Sequence, residues 1–333
     1  MTVRVGINGF GRIGRDVMRA VFDRGDTGIE IVAVNDLTTP EALAHLLAFD
    51  STYGPWAHAV SAEADALVVD GYRVRVSSEA DPANLDWNAD VVVEATGRFR
   101  TRETAGAHLA RGVRKVLITA PGKDVDATIV MGVNEDTYDP QLHHVVSNAS
   151  CTTNCVAPMA MVLHDAFGIR EGLMTTIHSY TNDQSLLDGP HKDLRRARSA
   201  AVNMIPTSTG AAKAVGLVIP ELAGRLDGLA VRVPVEDGSL TDLTVLLDKP
   251  ATVDEVNRAF AEAADGRLKG ILRYTTAPVV SRDIIGEQAS CVFDAGLTKA
   301  TGSIVKVFGW YDNEWGYANR AIDLVRHIAG TLP

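Results

Sequence analysis

Hydrophobic and polar positions follow one rhythm through the first half of the chain and another through the second. From Thr2 to Asn8 the residues are short, apolar and partly β-branched, which predicts a strand. Glycines at 9, 11 and 14 follow, and Ile13, Val17, Ala20 and Val21 then recur at helical spacing over Arg12 to Arg24. A second strand, Glu30 to Asn35, ends in Asp36. Near-continuous apolar runs at Asp90 to Gly97 and Lys115 to Pro121 read as buried parallel strands. Between them Ala105 faces Leu109 and Ala107 faces Ala110, the spacing of a packing helix. Further runs, Ala127 to Val133 and His143 to Ser147, lead into Ser150-Cys151-Thr152-Thr153-Asn154-Cys155.

After that motif, Val156 to Phe167 is apolar at helical spacing and stops at Gly168, which places Cys151 in the first turn of a helix. The short strand-helix alternation then gives way to longer β-rich runs, Leu173 to His178, Leu229 to Val233, Asp242 to Leu247, Ser290 to Asp294 and Ser303 to Trp310. These predict an antiparallel or mixed sheet. Helices are expected over Ser208 to Ile219, Thr252 to Ala264 and Tyr317 to Ala329, the last returning to the first domain. Ser179 to Pro206 is long and aperiodic, and segments of that kind are usually functional or interfacial. The expected division is 1–150 and 151–316, with 317–333 packed back on the first part.

Composition narrows the function. A 46% hydrophobic share over 333 residues suits two globular domains, and no apolar run approaches a spanning helix, so a cytoplasmic protein without a membrane is expected. The net charge of −10 repels nucleic-acid phosphates. Three cysteines are too few for a disulfide framework, and no His/Cys cluster completes a metal site. Gly9-Phe10-Gly11-Arg12-Ile13-Gly14 lies between strand and helix, where the first glycine permits the turn, the second admits a pyrophosphate and the third allows close packing. Asp36, 22 residues beyond Gly14, can accept ribose hydroxyls and would repel a 2′-phosphate, which favours NAD over NADP. A thiol at a helix start is stabilised as thiolate, so Cys151 with a nicotinamide cofactor suggests oxidation of an aldehyde through a thioester. His178, at a strand end, is a candidate base.

Ser147 to Cys155, Gly6 to Arg15 and Trp310-Tyr311-Asp312-Asn313-Glu314-Trp315-Gly316-Tyr317 together resemble phosphorylating glyceraldehyde-3-phosphate dehydrogenase. His178 to Gln184, Asp193 to Arg198 and Pro206 to Lys213 extend the likeness over essentially the whole chain. The resemblance implies an α/β protein: a Rossmann-type doubly wound parallel sheet plus an α+β catalytic domain with a largely antiparallel sheet. It also implies Cys151 as nucleophile, His178 as base and an ion pair between them. Glyceraldehyde 3-phosphate would be oxidised to 1,3-bisphosphoglycerate with NAD and inorganic phosphate. By the same resemblance Thr181 and Arg232 hold the substrate phosphate, Ser150, Thr152, Thr209 and Gly210 the attacking phosphate, with Arg195 near both. Gly9, Gly11, Arg12, Ile13, Gly14, Asp36, Thr119 and Asn313 would hold NAD, and Leu37 and Pro190 accompany NAD preference. A homotetramer is implied too.

The chain departs from the family pattern in three places. Ala80 stands where a cofactor-contacting arginine is common, Tyr53-Gly54-Pro55-Trp56 replaces a more usual Gly-Arg-Phe, and Val235-Glu236-Asp237-Gly238 replaces Thr-Pro-Asn-Val. These raise the reading of a divergent paralogue with altered inhibitor sensitivity or preferred direction. Erythrose-4-phosphate dehydrogenase is the alternative enzyme; Thr181 and Thr209-Gly210 argue for the phosphorylating one. A non-catalytic regulatory relative is the other alternative, against which Cys151 and His178 speak.

Overall fold

The protein is described by a computed structural model covering residues 2–25 and 27–332. Contacts divide the chain into two compact units: 1–129, 135–149 and 318–333 form the first, 130–134 and 150–317 the second.

The first unit is built on a nine-stranded sheet. From edge to edge it runs Ala127–Thr128, Val145–Ser147, Lys115–Ile118, Val91–Glu94, Val3–Asn8, Ile29–Asn35, Tyr72–Ser77, Ala66–Val69 and Val60–Glu63. The first seven pair in parallel and the last two antiparallel. Strand order reverses at Val3–Asn8, and in such open sheets ligands bind beyond the carboxyl ends at that point. Val91, Val92 and Val93 are fully buried, as a parallel strand covered on both faces requires. Beneath the sheet, Trp87 donates its indole N–H to His108 Nδ1 at 3.0 Å, and His108 Nε2 meets Glu94 at 3.1 Å. The final helix, Trp315–Ala329, contributes Ala318 onward to this unit and is tied to it by an Arg24–Asp323 ion pair of 2.8 Å.

Two sequence expectations change here. The segment after Thr101 is one α-turn, Arg102–Ala105, tightening into a 3-10 helix, Gly106–Arg111. Gly106 at the junction and Gly112 at φ +85° leave no room for a longer α-helix. The run from Ala127 stays in the sheet only through Thr128. Chain direction then changes at Gly132 (φ +83°), with Asn134 Oδ1 accepting the Val130 N–H at 2.8 Å. The helix Pro40–Ala48, capped by Thr39, and the strands from Val60 to Ser77 are additions to the sequence reading.

The second unit carries an eight-stranded, largely antiparallel sheet. Its order is Ile205–Ser208, Leu226–Val233, Ile169–Ser179, Ser239–Leu247, Ile304–Tyr311, Cys291–Asp294 and Leu272–Thr275, with Lys299–Thr301 also on Ile304–Tyr311. Only Leu226–Val233 with Ile169–Ser179 and Leu272–Thr275 with Cys291–Asp294 are parallel among these pairs. Ser239, Thr241, Leu243, Val245 and Leu247 are buried at alternate positions, so one face is covered. Helices Cys151–Phe167, Ala211–Val218 and Val253–Asp265 belong to this unit, and Thr152 to Leu163 of the first are all buried. Gly309 is required under that helix: a Cβ there would stand 2.6 Å from both Cys291 Sγ and Met159 Sδ.

Candidate active site

Cys151 is the first residue of its helix and Ser150 the cap. Ser150 Oγ accepts the Thr153 N–H at 3.0 Å and lies 2.7 Å from Thr153 Oγ1. Such a cap contributes about 1 kcal/mol. It also sets the sulfur at the positive end of the helix dipole. Thr152 is buried, its hydroxyl 2.9 Å from Tyr311 OH, which in turn lies 2.8 Å from Thr176 Oγ1.

His178 closes the strand Ile169–Ser179, and its Nε2 lies 3.5 Å from Cys151 Sγ. Sequence spacing placed them 27 residues apart; the fold brings them together. Nδ1 is 2.8 Å from the Ser179 carbonyl and 2.7 Å from Arg232 Nη1, which also donates to that carbonyl at 2.9 Å. A guanidinium can only donate and a carbonyl can only accept, so Nδ1 has two alternatives: it accepts from Arg232 in the neutral Nε2–H tautomer, or it carries a proton donated to the Ser179 carbonyl.

The ion pair implied by the resemblance has to form against burial of both groups. Burial pushes the Cys151 thiol up to about 11, opposed by Arg232 and the Thr152 hydroxyl and N–H. Burial and then Arg232 push His178 down to about 3. Each group alone is held neutral. Nε2 can take the proton from sulfur when Arg232 is engaged elsewhere and the imidazole is in its Nδ1–H tautomer, donating to the Ser179 carbonyl, so that the two charges form together.

Arg232 touches the histidine and Thr181 follows three residues after it, but both already meet a carboxylate. Thr181 Oγ1 donates to Asp183, and Arg232 Nη2 lies 3.8 Å from it. Burial raises Asp183, yet the Thr181 hydroxyl, Arg232 and Arg196 together hold it below the usual carboxylate range. Arg195 is exposed. It is Arg196 that reaches inward, donating to Thr207 Oγ1 at 2.9 Å and the Ser208 carbonyl at 3.1 Å while pairing with Asp183. Gly210 caps the start of Ala211–Val218, the helix packed on the cysteine helix, and Thr209 Oγ1 accepts the Ala211 N–H at 3.2 Å. A Cβ on Gly210 would meet nothing within 4 Å, so that helix start is open.

Sequence reasoning missed Asp183, Arg196 and Tyr311. Tyr311 had a signal: it continues the buried alternation of Val305, Val307 and Gly309, and an inward tyrosine hydroxyl needs partners. Nothing in the spacing distinguishes Arg196 from Arg195.

In the nucleotide unit the three glycines differ. Gly9 has φ +87°, and a Cβ on Gly14 would stand 2.2 Å from the Gly9 carbonyl oxygen. Gly11 has open space around its Cβ direction and caps Arg12–Arg24 with no side chain, leaving the helix start free for a phosphate. Asp36 Oδ2 accepts the Phe10 N–H at 2.8 Å, which ties the acid to the glycine turn. Arg12 is ion-paired with Asp50, and Ile13 is half-buried beside it. Thr119 follows the strand Lys115–Ile118, its N–H donating to the Glu94 carbonyl at 3.0 Å. These features fit a dinucleotide. Ala80 is exposed. Trp56 is engaged locally, donating to Asp23 at 2.8 Å and lying 4.5 Å from the His58 ring. Asn313 belongs to the second unit and is buried; its Oδ1 accepts the hydroxyls of Ser179 at 2.9 Å and Ser239 at 2.6 Å, which leaves the amide NH₂ to donate.

No metal-holding cluster of His, Cys, Asp or Glu, and no helix long and apolar enough to cross a membrane, occurs among the described residues.

A parallel sheet with a glycine fingerprint, joined in one chain to a helix-borne cysteine paired with histidine, defines an NAD-dependent oxidoreductase. Residues 3–102 match the family model for the NAD binding domain of glyceraldehyde 3-phosphate dehydrogenase, and residues 150–313 that for its C-terminal domain. The chain is 58% identical to glyceraldehyde-3-phosphate dehydrogenase 1 of Streptomyces avermitilis, with all of both chains covered. It is likewise 58% identical to glyceraldehyde-3-phosphate dehydrogenase of Geobacillus stearothermophilus over 99% of each, and 56% to that of Mycobacterium leprae over 100% of each. The chain belongs to the glyceraldehyde-3-phosphate dehydrogenase family.

Proposed function

We propose that this protein oxidises glyceraldehyde 3-phosphate with NAD and inorganic phosphate, giving 1,3-bisphosphoglycerate through a thioester on Cys151. The observation that carries the reading is the 3.5 Å approach of His178 Nε2 to Cys151 Sγ at a helix start, with Arg232 on the other side of the imidazole. Thr181 and Arg232 take the substrate phosphate. That gives the guanidinium a new acceptor and lets the imidazole exchange its Nε2 proton with solvent for one on Nδ1, which donates to the Ser179 carbonyl, so that Nε2 can receive the thiol proton. The sulfur adds to the aldehyde carbon, and the oxyanion is met by the Cys151 N–H and protonated to a thiohemiacetal. His178 then takes the hydroxyl proton as the hydride leaves. NAD would be held by the glycine turn, Asp36 and Thr119, with Asn313 carried over from the resemblance, and would supply the hydride acceptor. Phosphate at Thr209, Gly210 and the Ser150-Thr152 helix start attacks the thioester carbonyl and releases the thiolate.

Reduction of NAD with glyceraldehyde 3-phosphate, run with and without inorganic phosphate, tests the reading. Turnover that requires phosphate is expected; phosphate-independent turnover would overturn it.

The functional form we propose is a homotetramer. Leu186, Leu187, Leu194, Val202 and Met204 are each more than 70% exposed in one loop region of the second unit. Apolar exposure on that scale marks an association surface.

A further inference from the structure

Ser77, Asn35, Asn8 and Glu94 end four adjacent parallel strands of the first unit, and they lie in register: Ser77 opposite Asn35, Asn35 opposite Asn8, Asn8 opposite Glu94. Their side chains join into one row across the carboxyl ends of the sheet. Ser77 Oγ and the Glu79 N–H donate to Asn35 Oδ1 at 3.0 and 2.9 Å. Asn35 Nδ2 donates to the Glu79 carbonyl at 2.9 Å and to Asn8 Oδ1 at 2.8 Å, and Asn8 Nδ2 donates in turn to Glu94 Oε2 at 2.6 Å. Asn8, Asn35 and Glu94 are all buried, Glu94 with 1% exposure.

The row runs in one direction only. At one end the Glu79 N–H can only donate, which fixes the amide of Asn35 and then that of Asn8, each with its N–H₂ on the Glu94 side. At the other end the Trp87 indole can only donate, so His108 Nδ1 accepts and its Nε2–H is left for Glu94 Oε2 at 3.1 Å. Glu94 Oε1 accepts the Thr96 N–H at 2.9 Å and the Thr96 hydroxyl. The buried carboxylate is thus the common acceptor of Asn8, Thr96 and His108, and it acts only through them. The cofactor cradle stands next to the row: Gly9 follows Asn8, Asp36 follows Asn35, and Thr96 lies just beyond Glu94, beside the strand at which the order reverses. The Glu94 carbonyl accepts the N–H and the hydroxyl of Thr119 at 3.0 and 3.2 Å.

We propose that Glu94 is a positioning residue for the dinucleotide: by drawing the row onto its carboxylate it fixes the spacing between Asp36, the glycine turn and the edge formed by Thr96 and Thr119. Exchange of one Glu94 oxygen for N–H₂ sets donor against donor at Asn8 and His108. Neither can turn, because Asn8 is held by Asn35 and His108 by Trp87. The mismatch passes along the row to Asn35, the neighbour of Asp36. The inference rests on the reading of Asp36 as the ribose contact.

Calorimetric titration with NAD, and with AMP as a probe of the ribose end alone, is made on the full protein, on Glu94→Gln, on Asp36→Asn and on the double variant. Glu94→Gln is expected to weaken both ligands about tenfold with the rate of Cys151 alkylation unchanged. In the double variant the two losses should fall short of multiplying, since the contact that Glu94 positions is already gone. Unchanged affinities in Glu94→Gln, or losses that multiply in full, would overturn the positioning role. A changed alkylation rate would mark general loosening of the protein and overturn it too. Ser77→Ala removes one donor at the far, half-buried end of the row and decides the matter where Glu94→Gln does not fold: a several-fold loss of NAD affinity is expected, and no loss would overturn the proposal. Asp36→Asn that binds AMP as tightly as the wild type would overturn the ribose reading, and the inference with it.

Discussion

At Cys151 and His178 chemistry depends on a balance that neither residue sets alone. Burial opposes charge on both, and Arg232 opposes it on the imidazole while favouring it on the sulfur. Cys151→Ser should abolish dehydrogenase activity. His178→Asn should lower kcat by about 10²- to 10⁴-fold with the circular dichroism spectrum retained. Alkylation of Cys151 reports the same balance: without the imidazole to take its proton, burial keeps the thiol protonated, so labelling at neutral pH should slow and its midpoint move alkaline. An unchanged labelling profile would show that His178 does not activate the sulfur. In the other unit, Gly14→Ala brings a Cβ to 2.2 Å from the Gly9 carbonyl oxygen. Relieving that overlap should cost about 1–3 kcal/mol and weaken NAD binding, read by thermal melting and cofactor titration.

Among the elements, those that position the chemistry were the most legible. The strand Val3–Asn8, the helix Arg12–Arg24 and the cysteine helix carry strong periodicity, end signals or both. The strands from Val60 to Ser77 were missed because much of their surface is polar and paired across strands, as Arg73 is with Glu63 and Asp65. Pro40–Ala48 was missed despite a Thr39 cap and a proline in its first turn. What no local pattern carries is a side-chain meeting across elements: Cys151 with His178, Arg232 with both neighbours, Arg196 in place of Arg195. The Tyr311 hydroxyl is one such meeting, joining the strand Ile304–Tyr311 to the cysteine helix through Thr152 and to the strand Ile169–Ser179 through Thr176. Tyr311→Phe leaves both buried hydroxyls without that partner. It should cost about 1–3 kcal/mol in chemical denaturation, and a loss below the measurement error would remove Tyr311 as a structural tie.

For the whole molecule, the proposed tetramer is tested at the exposed leucines of the second unit. Leu186→Glu with Leu187→Glu should shift sedimentation from a tetramer toward smaller species; an unchanged tetramer would place the interface elsewhere. Fold class was readable because the two halves use different rhythms, whereas the short exchange at 130–134 had no marker in the apolar run. A comparable exchange at 318–333 has a consequence for the order of events in the cell. Ala321, Ile322, Leu324, Val325 and Ile328 belong to the core of a unit whose first strand is Val3–Asn8, yet they are translated only after the second unit. The nucleotide-binding half therefore emerges from the ribosome first and is sealed late. During most of synthesis its apolar surface remains open, a natural client for chaperones.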